Sequence, residues 1–184
     1  APQQNLFQYC FSLNVDLFSG YFMTPHNFNG SGNVDYALNR SFCGGMYENV
    51  YLHIFNNTRR LIASCDEQGL TDYAGMMRVV QAYAVQMLTD VYGPGAYTSC
   101  IEDPTNGASF SYDTQQSIYN SIFELLDKAL QDFQSPKSTL EERQSFDYWC
   151  NGDLDMWIQV ANQLKLRAAL RIVKADPTLA KQKA

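Results

Sequence analysis

The residues able to do chemistry are few, and their spacing suits none of the common reactions. Adjacent acids occur at Glu102–Asp103 and Glu141–Glu142. Neighbours in sequence do not face each other across a substrate, whereas a glycosidase needs two carboxyl groups several ångströms apart on either side of a sugar. No Ser-His-Asp set stands out, and the two histidines, His26 and His53, are far apart. Five cysteines (Cys10, Cys43, Cys65, Cys100, Cys150) show no Cys-x-x-Cys spacing, so a zinc site is not indicated. Buried free thiols are expected, with one or two disulfides as the alternative in an oxidising compartment. The run Asn151-Gly152-Asp153-Leu154-Asp155 resembles the start of a calcium loop but lacks the remaining ligands. Asp153 or Asp155 is better read as a helix cap. No catalytic residue, metal or cofactor is called for.

What remains is binding chemistry. Aromatic residues make up 14% of the chain, with 12 Tyr and 11 Phe. Some must fill the core. The others suit a wet interface, where a ring stacks on a flat ligand face such as a sugar and the hydroxyl hydrogen-bonds. The net charge is −6 and the longest basic run is Arg59–Arg60, which argues against nucleic acid as a partner. No run of about 18 apolar residues exists to span a membrane as a helix. The start, Ala1-Pro2-Gln3-Gln4, reads as processed or trimmed.

The elements that must position these residues read as helices. Residues 6–18 carry a helical stripe of Leu6, Tyr9, Leu13 and Leu17. A long loop, about 20–45, follows and is rich in Gly and Asn. A second helix spans about 46–65, with Val50, Ile54, Phe55, Leu61 and Ile62 as its apolar face. Thr71 is the expected N-cap of a third, ending at Gly93-Pro94-Gly95. A five-residue connection between the two implies a helical hairpin. Asp113 with Gln116 suggests a capping box for a helix striped by Ile118, Ile122, Leu126, Ala129 and Phe133. After a polar linker at 135–143, a last long helix runs from about 155 to 173, with Trp157, Val160, Ala161, Leu164, Ala168 and Ile172 apolar. Asp176–Pro177 opens a short final one. The fold class expected is all-α, built from irregular TPR-like helical hairpins in one region covering 1–184, with a core at about 46–180.

Three stretches then resemble one family. Residues 86–98 hold Thr89-Asp90-Val91-Tyr92-Gly93-Pro94 followed by Tyr97-Thr98. Residues 111–119 hold Tyr112-Asp113 and Ile118-Tyr119, with Leu126-Asp127-Lys128-Ala129 beyond them. Residues 157–171 read WIQVANQLKLRAALR. In this order and spacing they resemble the SusD/RagB family of outer-membrane, lipid-anchored nutrient-binding proteins. Family members are much longer, so the chain resembles their N-terminal helical part.

The resemblance implies a non-catalytic protein at the cell surface, held to the outer membrane only through a lipid anchor that this chain does not contain. It would bind glycan and hand it to a TonB-dependent transporter of the SusC kind. The alternative is a protein-interaction scaffold, or a peptide binder as in the RagB branch, without glycan affinity. The resemblance implies architectural roles for Asp90, Tyr92, Gly93, Asp113, Trp157, Asn162, Arg167 and Arg171. In particular, Gly93 would supply a left-handed cap, Asn162 would tie down neighbouring backbone, and Arg167 and Arg171 could pair with Asp90 or Asp127. Ligand contacts are expected instead from loop residues Tyr21, Phe28, Asn29, Tyr36, Asn39 and Arg40, and from Trp149.

Overall fold

The computed structural model describes residues 19, 40–102 and 110–184, with side chains in the first helix from residue 44 onward. The expected helix at 6–18 lies outside these residues. The described chain begins with one long rod: α1 (Arg40–Glu48), a π-helical segment (Asn49–Phe55) and α2 (Asn56–Gln68). Glu48 and Asn56 at the joints keep right-handed helical dihedrals, so the rod is unbroken. It begins earlier than the sequence suggested. Residues 40–45 of the expected loop are helical, and Gly44 and Gly45 are absorbed at a cost of about 1 kcal/mol each.

The π turn also shifts the buried face. Met46, Val50, Ile54 and Thr58 are buried at four-residue spacing, while Leu61, expected on that face, is 43% exposed. The rod stops at Gly69, whose φ of 70° and ψ of 20° are left-handed. The amide of Gly69 donates to Asp66 O and that of Leu70 to Cys65 O, the usual glycine-terminated helix end.

α3 (Thr71–Tyr92) is the central helix. Val79, Val80, Ala82, Ala84 and Val85 are all buried, and consecutive buried positions mean neighbours on every side. α2 packs on it, as do α5 (Gln115–Asp132) and α7 (Leu154–Ile172); α8 (Pro177–Lys183) closes back on α7. Short helices α4 (Thr98–Glu102) and α6 (Leu140–Gln144) occupy the connections. The closest approach is at Gly75, where a Cβ would sit 2.7 Å from Phe133 Cε1. Among the described residues there is no strand, only a bridge between Gly95 and Asp113. None of the described helices is long and apolar enough to cross a membrane.

Several caps differ from the sequence reading, for one physical reason: the side chains are used across the fold. Thr71 is the first helical residue, and its hydroxyl donates to Ser135 O at 2.7 Å. Asp113 does not cap α5. Thr114 does, accepting Ser117 N at 3.1 Å. The polar linker contains α6, capped by Thr139 and Glu142 in a reciprocal box. Asp153 and Asp176 cap α7 and α8 as expected.

Charged groups pin the helices together. Arg78, buried on α3, pairs with Asp132 at 2.5 Å and with Asp66, and Lys128 reaches Asp132 at 2.5 Å. Asp72, fully buried, accepts from the Lys137 and Ser138 amides at 3.2 and 3.1 Å and lies 3.4 Å from Arg143 Nη1. Burial alone would raise its carboxyl, but the hydrogen bonds from Ser138 and Lys137 outweigh that and hold it below the ordinary value of 3.8. Asp127 is lowered too: burial opposes, and the ion pairs with Lys165 and Lys183 prevail.

Folded values below the unfolded one mean stability fully present above about pH 4 and lost as pH falls through the folded values. Urea midpoints are therefore expected to be flat from pH 7 to 5 and to fall below pH 4. Asp72→Asn should flatten the decline, and an unchanged profile in that variant would count against Asp72 as its source.

Candidate functional site

The most site-like arrangement grows from the four-residue spacing of Tyr47, Tyr51 and Phe55. These fall on one side of the α1 and π-helical rod and continue into rings from elsewhere. Tyr92 meets Tyr47 edge-on at 5.5 Å, Tyr47 and Tyr51 are tilted at 4.5 Å, Tyr51 meets Phe55 at 5.2 Å, and Phe55 meets Tyr97 at 5.5 Å. Five rings thus run from surface to core. Tyr97 and Phe55 are buried, Tyr47 is 37% exposed, and Tyr112 beside it is 68% exposed. The π turn lies under this run, and such widened turns often accompany functional positions.

Asp113 sets the outer end. Its carboxylate accepts the Tyr97 and Thr98 amides at 3.0 and 2.7 Å, and its backbone exchanges hydrogen bonds with Gly95. This clasp brings Tyr112 to the Tyr47 hydroxyl. Burial chiefly, with Tyr112 adding to it, lifts the Tyr47 hydroxyl above its ordinary range; burial and then Tyr47 lift that of Tyr51 further. Both stay protonated at neutral pH, able to donate and accept. Packing at Gly95 is close: a Cβ there would lie 3.2 Å from the Tyr51 hydroxyl, so that ring would have to give by a few tenths of an ångström. The result is a pair of exposed rings, Tyr47 and Tyr112, backed by Tyr51, whose own hydroxyl is buried.

Among the described residues no comparable arrangement supports catalysis. Cys65, Cys100 and Cys150 are free thiols, of which only Cys150 is buried. Burial, with Asp147 and Asp153 nearby, pushes the Cys150 thiol up to about 11, and burial raises Cys65 and Cys100 too. None is an activated thiolate. No group of metal-binding side chains occurs among the described residues.

Of the ligand candidates read from the sequence, Tyr21, Phe28, Asn29, Tyr36 and Asn39 lie outside the described residues. Arg40 is the first residue of α1, and its side chain is likewise outside them. Trp149 is not the exposed aromatic expected. It is half-buried, stacked on Trp157 at 5.7 Å and edge-on to Tyr83 at 5.9 Å. Its neighbour Tyr148 is the exposed ring, at 82%. The sequence reading missed Tyr47, Tyr51 and Tyr112; the four-residue repeat of rings from Tyr47 to Phe55 was the available signal.

The signature residues hold the frame. Trp157 is fully buried, and its indole N–H donates to Asp147 Oδ2 at 2.7 Å. Arg171 lies 3.6 Å from Asp90, and Tyr119 donates to the other Asp90 oxygen at 2.5 Å. Asp127 is held by Lys165 and Lys183 instead of an arginine, and Arg167 sits over the Tyr83 ring at 5.9 Å. Asn162 is exposed and ties down no backbone among the described residues. Gly93 has positive φ, but its ψ of −135° is not the left-handed helical cap expected; Thr89 clasps it from both sides, accepting at O and donating from Oγ1.

The full length, residues 1–184, matches the family model described as Susd and RagB outer membrane lipoprotein. Solved structures agree in fold. A chitin-binding SusD homologue from Flavobacterium johnsoniae is 26% identical over the whole chain, with a TM-score of 0.78, and the match covers 40% of that protein. A SusD homologue from Bacteroides vulgatus is 29% identical over 99% of the chain (TM-score 0.73, 36% of that protein). A SusD-like protein from Bacteroides thetaiotaomicron is 24% identical over 88% (TM-score 0.74, 33% of that protein). The chain therefore spans about a third to two fifths of the length of these structures. No curated protein sequence is significantly similar.

Proposed function

The chain belongs to the SusD-like family of Susd and RagB outer membrane lipoproteins, and from that premise we propose that it forms part of a surface glycan-binding protein, with the exposed pair Tyr47 and Tyr112 as a stacking platform. One observation carries this reading: the ring run reaches the surface at Tyr47, where a second exposed ring, Tyr112, lies beside its hydroxyl. Sugar rings present flat C–H faces and many hydroxyls, and Tyr offers both complements with little conformational entropy to lose. Tyr21, Phe28, Asn29, Tyr36 and Asn39, which precede α1 in sequence, and Arg40 at its start remain proposed contributors. The role is binding without catalysis, at the outer membrane, with delivery of the glycan to a TonB-dependent transporter. The ligand of the Flavobacterium johnsoniae relative makes chitin oligosaccharide the first probe.

Affinity electrophoresis of the chain in gels containing glycol chitin, starch or β-glucan tests the reading. Retardation is expected in at least one polysaccharide gel. Migration unaffected by every one, together with oligopeptide recovered from the purified protein by mass spectrometry, would favour the peptide-binding alternative.

A further inference from the structure

Away from the aromatic run, a cleft of about 520 Å³ opens where the end of α3, the first turns of α5, the end of α7 and the start of α8 meet. That size falls within the usual range for small-molecule sites, about 300–1,000 Å³. Asp90, Gln116, Tyr119, Asn120, Arg171 and Ile172 line it. The polar members are organised. Tyr119 donates to one oxygen of Asp90; Arg171 Nε lies 3.6 Å from the other, which is buried and accepts no hydrogen bond among the described residues. The terminal nitrogens of Arg171 make no hydrogen bond among the described residues, and its side chain is 55% exposed. Asn120 and Gln116 present exposed amides on adjacent turns of α5. Ile172 and Leu179, both half-buried, supply an apolar wall.

The chemistry of this set selects a ligand class. Amides and a guanidinium are hydrogen-bonding groups of the kind that recognise hydroxyls, and the apolar wall suits C–H faces. Asp90 and Asp176 against the single cation Arg171 leave the lining one charge negative, which disfavours an anionic ligand. We propose that this cleft is a second saccharide subsite, selective for neutral glycan and separate from the aromatic platform. It rests on the glycan reading above for its ligand class, but on different residues. A second subsite on one chain would raise avidity for a polymer without any new contact at the first.

The test is a ¹⁵N-NMR titration of the chain with chitohexaose, cellohexaose and trigalacturonate. A neutral hexasaccharide is expected to shift the Asn120 and Gln116 side-chain amides and the Arg171 Nε–H in a saturable way. The exposed pair Asn120→Ala/Gln116→Ala should weaken that saturation at least fivefold at the remaining cleft reporters, the Arg171 Nε–H and the Tyr119 amide, while signals around Tyr112 still respond. In Tyr112→Ala the cleft signals should still respond. Shifts near Tyr112 with silent cleft signals would overturn the subsite and leave the platform standing. Cleft shifts without platform shifts would support the subsite and overturn the platform. Stronger cleft shifts with trigalacturonate would overturn the neutral assignment, and silence everywhere would overturn both readings.

Discussion

Replacing Asp147 by alanine is expected to remove about 4 kcal/mol of stability, because buried donors left without an acceptor cost about 1–3 kcal/mol each. Asp147 is buried at 3% exposure. Its two oxygens accept the amides of Trp149 (3.0 Å), Cys150 (3.3 Å) and Gly152 (2.9 Å) and the indole N–H of Trp157 (2.7 Å). One carboxylate therefore folds the turn after α6, fixes Gly152 in its positive-φ conformation and seats the largest buried side chain of the core. Gly152 has no room to adjust, since a Cβ there would lie 2.8 Å from Gln144 N. With a urea slope of about 2 kcal/mol/M, the midpoint should drop by about 2 M, read by far-UV circular dichroism. Asp147→Asn keeps one acceptor oxygen and should lose roughly half as much. A loss below about 1 kcal/mol for the alanine variant would mean that water replaces the carboxylate, and that the hub is not what seats Trp157.

The second large effect is expected at Asp132, where breaking a buried ion pair should cost about 3–5 kcal/mol. Arg78 and Asp132 have side chains only 8% and 2% exposed, and removing Asp132 leaves Arg78 with Asp66, which is 47% exposed. The third member behaves differently. Lys128 is 51% exposed and one helical turn from Asp132, so Lys128→Ala should cost less than about 1 kcal/mol. The double variant Arg78→Met/Asp132→Leu fills similar volume without charge and should recover much of the loss of Asp132→Ala. A double-mutant cycle from urea denaturation separates these cases. Equal losses for Asp132→Ala and Lys128→Ala would contradict the assignment of the buried Arg78 pair as the stronger of the two ion pairs of Asp132.

These two sites also show why parts of the fold were legible in the sequence and others were not. Stripes such as Ile118, Ile122, Leu126 and Ala129, or Trp157, Ala161, Leu164 and Ala168, announce buried helix faces because period and chemistry coincide, and all of these are buried. Asp147, Asp72 and Arg78 announce nothing: a lone charged residue reads as surface until the distant amides and guanidiniums it meets are known. The same cause misplaced two caps. Asp113 and Thr71 have the side chains of N-caps, but their oxygens serve Tyr97, Thr98 and Ser135 across the fold.

The candidate site was only partly legible. Tyr47, Tyr51 and Phe55 stand at regular spacing, yet aromatic residues at helical spacing normally fill cores, and Phe55 does. That Tyr47 forms an exposed pair depends on Tyr112 arriving beside it through the Asp113 clasp, which local sequence does not encode. Trp149 illustrates the converse, since its stacking on Trp157 required knowing where the turn at 150–153 sends the chain.

The central claim is that the exposed end of the ring run binds sugar. Isothermal titration of the chain with chitohexaose tests it most directly, comparing wild type, Tyr47→Ala/Tyr112→Ala and Tyr148→Ala. Losing two stacking rings should weaken binding at least tenfold, about 1.4 kcal/mol, while Tyr148→Ala, an exposed ring elsewhere, should stay within about twofold of wild type, or roughly 0.4 kcal/mol. Wild-type affinity in the double variant, with a far-UV spectrum showing it folded, would contradict the platform.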